Sequence, residues 1–377
     1  MRKNKRKQKK IYNRVCFVAG KSGGHIIPAI TLAKKLITKN KHTQILFFST
    51  NSTLDHKIIK EAQEALPTLS HITLSLENIP YKKILLYPMF FARLTISFLK
   101  SFFKLVTKRP EKIVSMGGYI SIPVCLAAFL LKIPIELFEL NATPGKAVKF
   151  LAPFATKIKV CFEKAIEYLP KKKCILSAYP IRFENLGSAH LAHKNLEQCI
   201  LKYGLCPQVY TILVLGGSQG SISINNLIKQ LFISNPHLAQ HIQIIHQTGD
   251  KDTTDWNDFY KKVSVKSHVF QFNSAISTYY QIANTVICRS GAGTLFETIF
   301  FEKKCITIPL ETATTAHQVD NAKEIERRFP DLVTMVRKQE GASKLDSVIQ
   351  KHLQSYGHIP IHSSNKTQNA QGNILQI

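Results

Sequence analysis

Residues 291–297, with the sequence GAGTLFE, join a short apolar run at 285–288 to a segment of helical pattern. This order predicts a strand, a tight turn and a helix N-terminus. The first amides of a helix lack internal partners and carry partial positive charge, so a diphosphate could bind there. Glu297 falls inside the new helix, where its carboxylate could accept hydrogen bonds from sugar hydroxyls. A plain strand-to-helix turn with a capping serine or threonine would explain this stretch equally well.

Three other apolar runs end in glycine-rich turns that lead into helical patterns. The first turn is GKSGGH at 20–25, and Pro28 is then expected to open a helix. It is neither a G-x-G-x-x-G fingerprint nor a Walker A loop. His25 could serve as a general base, because histidine titrates near neutral pH, or it could merely cap the turn. The other two turns are GGY at 117–119 and GGSQG at 216–220.

Alternating strand and helix patterns predict an α/β chain with two doubly wound parallel sheets. A length of 377 residues suits two domains. We expect the following division: a basic disordered arm at 1–13, a first domain at 14–182, a second domain at 183–355 whose last helix can pack back on the first, and a polar tail at 356–377. Functional residues should follow the carboxyl ends of strands, where these residues fall: Ser22, His25, Gly117, Gly118 and Asn141.

Net charge, cysteine distribution and acidic pairs limit the classes of ligand and cofactor that this protein could bind. The formal net charge of +27 attracts anions such as phosphorylated substrates, acidic lipids or nucleic acid. The eight cysteines are scattered without a CxxC pair, which indicates reduced core thiols in a cytosolic protein rather than disulfides or zinc ligands. No Asp-x-Asp pair is placed to hold a metal-bridged diphosphate, so neither a metal nor a cofactor is expected.

Residues 82–109 combine many apolar side chains with lysine and arginine. The apolar residues are too many for one core-facing stripe, and basic residues interrupt them too often for a membrane span. Such a helix could lie on an anionic membrane, could be a buried core helix, or could present one face to each. The predicted membrane patch comprises Phe90, Phe91, Arg93, Phe98 and Lys100.

The four turns, in this order, resemble those of the MurG family of glycosyltransferases, and the resemblance runs from about residue 15 to 322. It implies the GT-B fold, two Rossmann-like domains with a cleft between them. It also implies inverting transfer of N-acetylglucosamine from UDP-N-acetylglucosamine to the C4 hydroxyl of the muramyl sugar of lipid I, an undecaprenyl-diphosphate-linked muramyl peptide. The product is lipid II, a peptidoglycan precursor. The expected place is the cytoplasmic face of the plasma membrane, with an anionic membrane surface and other cell-wall synthesis proteins as partners and no specific nucleic acid.

The resemblance also assigns site residues. His25 and Glu297 fall on catalytic positions, and replacing either by alanine is expected to abolish transfer with the fold intact. The loops at Gly117, Gly118 and Tyr119 fall on the acceptor side, and a uracil contact falls near Phe272 or Asn273. Donor-binding positions fall on Ser22, Gly23, Gly24, Asn141, Arg182, Ser218, Ala292, Gly293, Thr294, Leu295, Phe296, Glu297 and Gln318.

The sequence departs from the family pattern in three places. Lys21 and Ser22 replace a glycine and a threonine in the first turn, so Lys21 adds charge near the phosphates. Phe138 and Leu140 replace a histidine and a glutamine, and residues 178–179 replace Gly-Asn. Two other function classes stay open: another GT-B enzyme, such as a glycolipid glycosyltransferase or a UDP-N-acetylglucosamine 2-epimerase, and a basic nucleic-acid-binding protein.

Overall fold

The structure, a computed structural model, describes residues 12–76, 84–183, 193–217, 219–273, 276–312, 315 and 317–357. The chain divides into two compact units. The first comprises Met1–Leu140 and Pro144–Pro180, and the second comprises Asn141–Thr143 and Ile181–Ile377. Most of the predicted arm and tail lies outside the described residues.

The first unit is built on a seven-stranded parallel sheet in the order β3-β2-β1-β4-β5-β6-β7. Its strands are β1 (Arg14–Val18), β2 (Gln44–Thr50), β3 (Leu69–Leu74), β4 (Lys112–Ser115), β5 (Ile135–Glu139), β6 (Lys157–Val160) and β7 (Cys174–Leu176). Its helices are α1 (Gly23–Lys39), α2 (Thr53–Ala65), α3 (Tyr87–Lys108), α4 (Ser121–Leu130) and α5 (Lys146–Leu151). The central strands are buried on both faces, as continuous apolar runs in a parallel sheet require.

The strand order reverses between β1 and β4, which pair directly with Val18 opposite Ser115. The two turns that follow these strands therefore lie side by side at the carboxyl edge of the sheet. Ligands of doubly wound sheets bind at such a reversal.

Helix α1 begins at Gly23, so the prediction that Pro28 opens it was wrong. Pro28 is the sixth residue of the helix and lacks the N–H that would bond to the Gly24 carbonyl. The earlier start places His25 in the first turn of α1, where its N–H donates to the Ser22 carbonyl over 3.2 Å.

Helix α3 has two different faces. Ser97, Ser101 and Leu105 are buried, and Phe98 and Phe102 pack against the core of the first unit. The opposite face is apolar and exposed over Met89, Phe91, Ile96, Leu99, Phe103 and Val106, and Leu85 and Leu86 are exposed in the turn just before the helix. One face of α3 is thus buried in the core, as one alternative predicts, and the membrane alternative stays a prediction for the exposed face. Phe98 lies on the core side, so its place in the predicted membrane patch was wrong.

The second unit is built on a six-stranded parallel sheet in the order β10-β9-β8-β11-β12-β13. Its strands are β8 (Tyr210–Leu215), β9 (Ile242–Gln247), β10 (Ser267–Phe270), β11 (Thr285–Cys288), β12 (Lys304–Thr307) and β13 (Val333–Met335). Its helices are α6 (His193–Lys202), α7 (Ile222–Ser234), α8 (Trp256–Lys262), α9 (Ser277–Ile282), α10 (Ala292–Phe300), α11 (His317–Arg328) and α12 (Gly341–Gly357). The order reverses between β8 and β11, where Leu215 pairs with Cys288.

The last described helix, α12, packs into the core of the second unit through Leu345, Val348 and Ile349. It also contacts α7 and β12. It includes Tyr356, whose ring meets that of Tyr210 edge-on at 5.1 Å, so the helix extends into the segment predicted as tail.

A buried polar network supports the carboxyl edge of this sheet. His246 Nε2 donates to Asn225 Oδ1 (3.1 Å), and the Tyr260 hydroxyl donates to His246 Nδ1 (2.8 Å). Burial lowers the pKa of His246 to about 3, so its imidazole is neutral at physiological pH. The Asn225 amide donates to the Thr248 carbonyl and to Asp252. The network thereby fixes the loop that follows β9.

Candidate active site

The buried carboxylate of Asp55 fixes the backbone of the first glycine turn. This carboxylate accepts hydrogen bonds from the N–H of Lys21 (3.0 and 3.1 Å), from the N–H of Thr50 (3.0 Å) and from the Thr50 hydroxyl. A β-carbon on Gly20 would approach Asp55 and Thr50 to 3.0 Å, a tight contact that favours glycine there. Gly23 and Gly24 begin α1, and the preceding Ser22 makes no side-chain cap.

The second glycine turn follows β4 and meets the first. Gly117 and Gly118 have φ angles of 78° and 77°, a left-handed conformation that favours glycine. The Ser121 hydroxyl donates to the Gly117 carbonyl over 2.6 Å and fixes the turn. A β-carbon on Gly118 would lie 4.0 Å from His25 Nδ1. The structure thus brings the predicted base and the predicted acceptor loop together.

The departures from the family pattern at the end of β5 are accommodated by burial. Phe138 and Leu140 are each 2% exposed. Glu139, between them, accepts a hydrogen bond from the N–H of Gly145 over 3.0 Å and so holds the turn before α5. The apolar replacements are core side chains in this protein, and they are not available to contact a substrate.

In the second unit, α10 begins at Ala292 behind the N-cap Gly291, which has no side chain to cap it. The hydroxyl of Ser290 is 2.7 Å from that of Thr307 instead of capping the helix, so the simpler explanation by a capping serine was wrong. Gly293 and Thr294 complete the first turn of α10. Their amides are free of a side-chain cap and can receive an anion.

Glu297 lies on the inner face of α10, where Leu295 and Phe296 are also buried. Its two carboxylate oxygens accept hydrogen bonds from Arg182 Nε (2.8 Å) and Nη2 (3.1 Å). The Tyr280 hydroxyl donates to the same carboxylate over 3.2 Å. Burial, with the Glu297 charge, raises the pKa of Tyr280, so this hydroxyl stays a donor. Two predicted site residues therefore form one partly buried ion pair.

This ion pair leads us to expect that Glu297→Ala destabilises the second unit, against the sequence-based prediction of an intact fold. Removing the carboxylate would leave the guanidinium of Arg182 partly buried and without its bidentate partner, which is strongly destabilising. Glu297→Gln keeps the side-chain volume and one of the two acceptor oxygens, and is the better probe of function.

Asn321 organises the segment around Asn141. Its Oδ1 accepts a hydrogen bond from the N–H of Ala142 (2.8 Å), and its Nδ2 donates to Asn141 Oδ1 (3.1 Å) and to the Ser290 carbonyl (3.1 Å). Residue reasoning did not single out Asn321 or Tyr280 as site residues. Asn321 follows closely on Gln318 in the polar segment at 314–322, whereas no local pattern marks Tyr280 as a site residue.

Gln318, predicted to contact the donor sugar, is buried in the first turn of α11. Its Oε1 accepts a hydrogen bond from the N–H of Leu310 over 3.1 Å and ties α11 to the end of the strand before it. Its amide nitrogen is the atom that remains suited to a ligand oxygen. The alternative of a solvated surface side chain was wrong.

The third glycine turn, after β8, packs backbone against backbone on the loop after β9. A β-carbon on Gly220 would lie 2.5 Å from the Thr248 carbonyl oxygen, and one on Gly249 would lie 2.6 Å from that of Gln219. Ser218, predicted to bind the donor, lies outside the described residues. Asn273, near the expected uracil contact, donates to the Tyr279 hydroxyl over 3.2 Å.

Comparisons with protein families agree with this arrangement. Residues 15–160 match the Glycosyltransferase family 28 N-terminal domain, and residues 211–373 match the Glycosyltransferase family 28 C-terminal domain. The chain is 32% identical over 345 residues to a protein of Thermodesulfovibrio yellowstonii, covering 90% of each chain. It is 33% identical over 325 residues to one of Protochlamydia amoebophila, covering 82% of this chain and 79% of the relative. Both relatives are named UDP-N-acetylglucosamine–N-acetylmuramyl-(pentapeptide) pyrophosphoryl-undecaprenol N-acetylglucosamine transferase.

Solved structures share the fold. The crystal structure of Acinetobacter baumannii MurG superposes with a TM-score of 0.64 at 20% identity, covering 97% of this chain and all of that one. A UDP-GlcNAc 2-epimerase from Neisseria meningitidis, bound to UDP-GlcNAc, superposes with a TM-score of 0.58 at 14% identity over 92% of this chain and 94% of that one. The predicted GT-B fold is therefore confirmed, and the protein is a nucleotide-sugar-dependent glycosyltransferase. By its sequence relatives, the chain belongs to the MurG family.

The ion pair predicts a measurable coupling between Arg182 and Glu297. We expect Arg182→Met and Glu297→Gln each to lower the free energy of unfolding, and the double variant to lower it by roughly 2 kcal/mol less than the sum. Urea unfolding followed by the fluorescence of Trp256, the chain's one tryptophan, reports on the second unit. The matched control is a second double variant, Glu297→Gln with Lys262→Met. Lys262 forms an exposed ion pair with Asp258 and not with Glu297. Additive losses in the Arg182 and Glu297 pair would contradict the geometry.

Proposed function

We propose that this protein transfers N-acetylglucosamine from UDP-N-acetylglucosamine to the C4 hydroxyl of the muramyl sugar of lipid I, forming lipid II with inversion. The observation that carries the proposal is identity of 32% over 90% of a relative named for this transfer, with each glycine turn of the family at the carboxyl end of a strand. The fold alone would not choose between this reaction and the epimerase reaction.

The second unit is proposed to bind the donor. The uncapped amides at Ala292, Gly293 and Thr294 suit the diphosphate, because a helix N-terminus stabilises negative charge without a metal ion. Glu297, aligned by Arg182 and Tyr280, would accept hydrogen bonds from the ribose hydroxyls. Asn141, Ser218 and Gln318 complete the proposed donor set.

The first unit is proposed to bind the acceptor. In the reaction the C4 oxygen attacks C1 of the donor sugar, the bond from C1 to the UDP oxygen breaks, and the acceptor proton passes to a base. His25 is the proposed base, since its ring lies beside Gly118 of the acceptor turn. The negative charge that develops on the leaving UDP is stabilised by the donor-side amides.

The outer face of α3 is proposed to lie on an anionic membrane. Phe91 and Phe103 are 58% and 63% exposed. Lys100, Lys104 and Lys108 are exposed along the same helix. Phe129 and Leu130, exposed at the end of α4, extend the apolar surface, because α4 packs against α3. In the described part of the chain, no helix is both long enough and apolar enough to cross a bilayer. The proposed position is peripheral, at the cytoplasmic face.

The proposed transfer is tested with UDP-N-acetylglucosamine and a soluble short-chain analogue of lipid I. We expect a disaccharide product with a β linkage, identified by nuclear magnetic resonance. His25→Gln should lower kcat by about 10²- to 10⁴-fold, the usual contribution of a positioned base. Its affinity for UDP-N-acetylglucosamine should be unchanged.

Two results would overturn these assignments. Free N-acetylmannosamine or UDP-N-acetylmannosamine as the product, without disaccharide, would replace the transferase by an epimerase. Full kcat in a folded His25→Gln variant would remove His25 from the role of base.

The membrane proposal is tested by sedimentation with vesicles that contain phosphatidylglycerol. We expect Phe91→Asp with Phe103→Asp to weaken binding by tenfold or more, because each phenylalanine contributes roughly 2 kcal/mol when buried in the interface. The control is Leu201→Asp with Ile233→Asp, two residues of the second unit that are each 61% exposed. The two double variants change the net charge equally. Equal binding by both would contradict the proposed membrane face.

A further inference from the structure

Lys21 has a backbone conformation that lysine rarely adopts. Its φ angle is +73°, in the left-handed region that favours glycine. Four other non-glycine residues have positive φ angles, and each directly ends or follows a helix: Arg109, Lys132, Ser264 and Glu302. A left-handed residue is common at the end of a helix. Among the described residues, Lys21 is the one non-glycine residue with positive φ that precedes a helix.

The surrounding structure imposes this conformation. The N–H of Lys21 points at the carboxylate of Asp55, which is completely buried and is also bound by Thr50. The turn therefore keeps its shape whatever side chain residue 21 carries. Glycine would fill the position at lower conformational cost. The lysine side chain must then offer something that glycine does not.

The side chain reaches across to the second glycine turn. Lys21 Nζ lies 5.3 Å from the centroid of the Tyr119 ring, within the range of a cation–π contact. Within the described residues the ammonium forms no ion pair. Partial burial lowers the pKa of Lys21 from its usual value. The ammonium is held over the Tyr119 ring, and Lys21 lies two residues before the uncapped start of α1, so the side chain is placed to receive an anion.

We propose that the Lys21 ammonium binds a substrate diphosphate at the first glycine turn and so sets the affinity for that substrate in this protein. The inference rests on the proposed function, in which both substrates carry a diphosphate: the donor UDP-N-acetylglucosamine and the polyprenyl-linked acceptor. Lysine binds phosphate as a mobile point charge, and the turn supplies backbone amides beside it.

The test compares Lys21→Gly with wild type in the transfer assay, with each substrate varied in turn. We expect the KM of one substrate to rise about tenfold, because one charge-assisted contact is lost. The kcat should stay within twofold of wild type. A raised KM for the lipid I analogue assigns Lys21 to the acceptor, and a raised KM for UDP-N-acetylglucosamine assigns it to the donor. Because glycine removes the left-handed strain, the Tm should stay equal or rise by up to ~3 °C.

Three further variants separate charge from structure. Lys21→Arg should restore KM to within about twofold, and Lys21→Met, which keeps the strain but loses the charge, should match Lys21→Gly in KM. Lys132→Gly is the matched control, because Lys132 is a lysine of the same unit with a φ angle of +55°. It should raise the Tm similarly and leave both KM values unchanged.

A direct titration with farnesyl diphosphate keeps the inference testable apart from the transfer reaction. Wild type should bind it about tenfold more tightly than Lys21→Gly, whether or not transfer occurs. If wild type showed no transfer but still bound farnesyl diphosphate about tenfold more tightly than Lys21→Gly, the proposed function would be wrong and the diphosphate contact would be supported. Unchanged KM values for both substrates, together with equal farnesyl diphosphate affinities, would overturn the inference. A lower Tm in both Lys21→Gly and Lys21→Met would also overturn it, because Lys21 would then be a purely structural side chain.

Discussion

The site in each unit depends on one constraint, the reversal of strand order in a parallel sheet. Strands β1 and β4 pair in the first unit, and β8 and β11 pair in the second, so the turns that follow them must share an edge. Each turn leads into a helix whose first amides have no internal partner. The sheet therefore gathers polar backbone groups where an anionic ligand can use them, and the side chains only refine what the backbone offers.

Both units place a glycine turn before a helix N-terminus, but different side chains support the turn in each unit. In the first, the carboxylate of Asp55 fixes the turn by binding backbone amides. In the second, the carboxylate of Glu297 is held by Arg182 and Tyr280 while its own helix presents the amides. A carboxylate that supports a loop can be replaced only with loss of shape, whereas one that faces a ligand can be replaced with loss of affinity. Glu297 has both roles in this account, which makes its amide variant more informative than alanine.

Most strands, the α/β class and the glycine turns could be predicted from the sequence, because buried parallel strands are apolar runs and the turns need residues without a β-carbon. The start of α1 could not be predicted from the sequence, since Pro28 is tolerated inside the helix with the loss of one hydrogen bond. The side of α3 to which Phe98 belongs could not be read from a segment that is apolar nearly all round. The pair of Arg182 with Glu297 joins residues 115 positions apart, and no local pattern encodes such a contact. The family resemblance predicted both residues as donor-binding, and the structure shows that they form an ion pair with each other.

The most direct test of this account is isothermal titration of the protein with UDP-N-acetylglucosamine, UDP-glucose and UDP-galactose. The account predicts one site that binds UDP-N-acetylglucosamine most tightly, and at least tenfold weaker binding of it by a folded Glu297→Gln variant. Absence of binding to all three, or equal affinity for all three that Glu297→Gln leaves unchanged, would contradict a donor site at the start of α10.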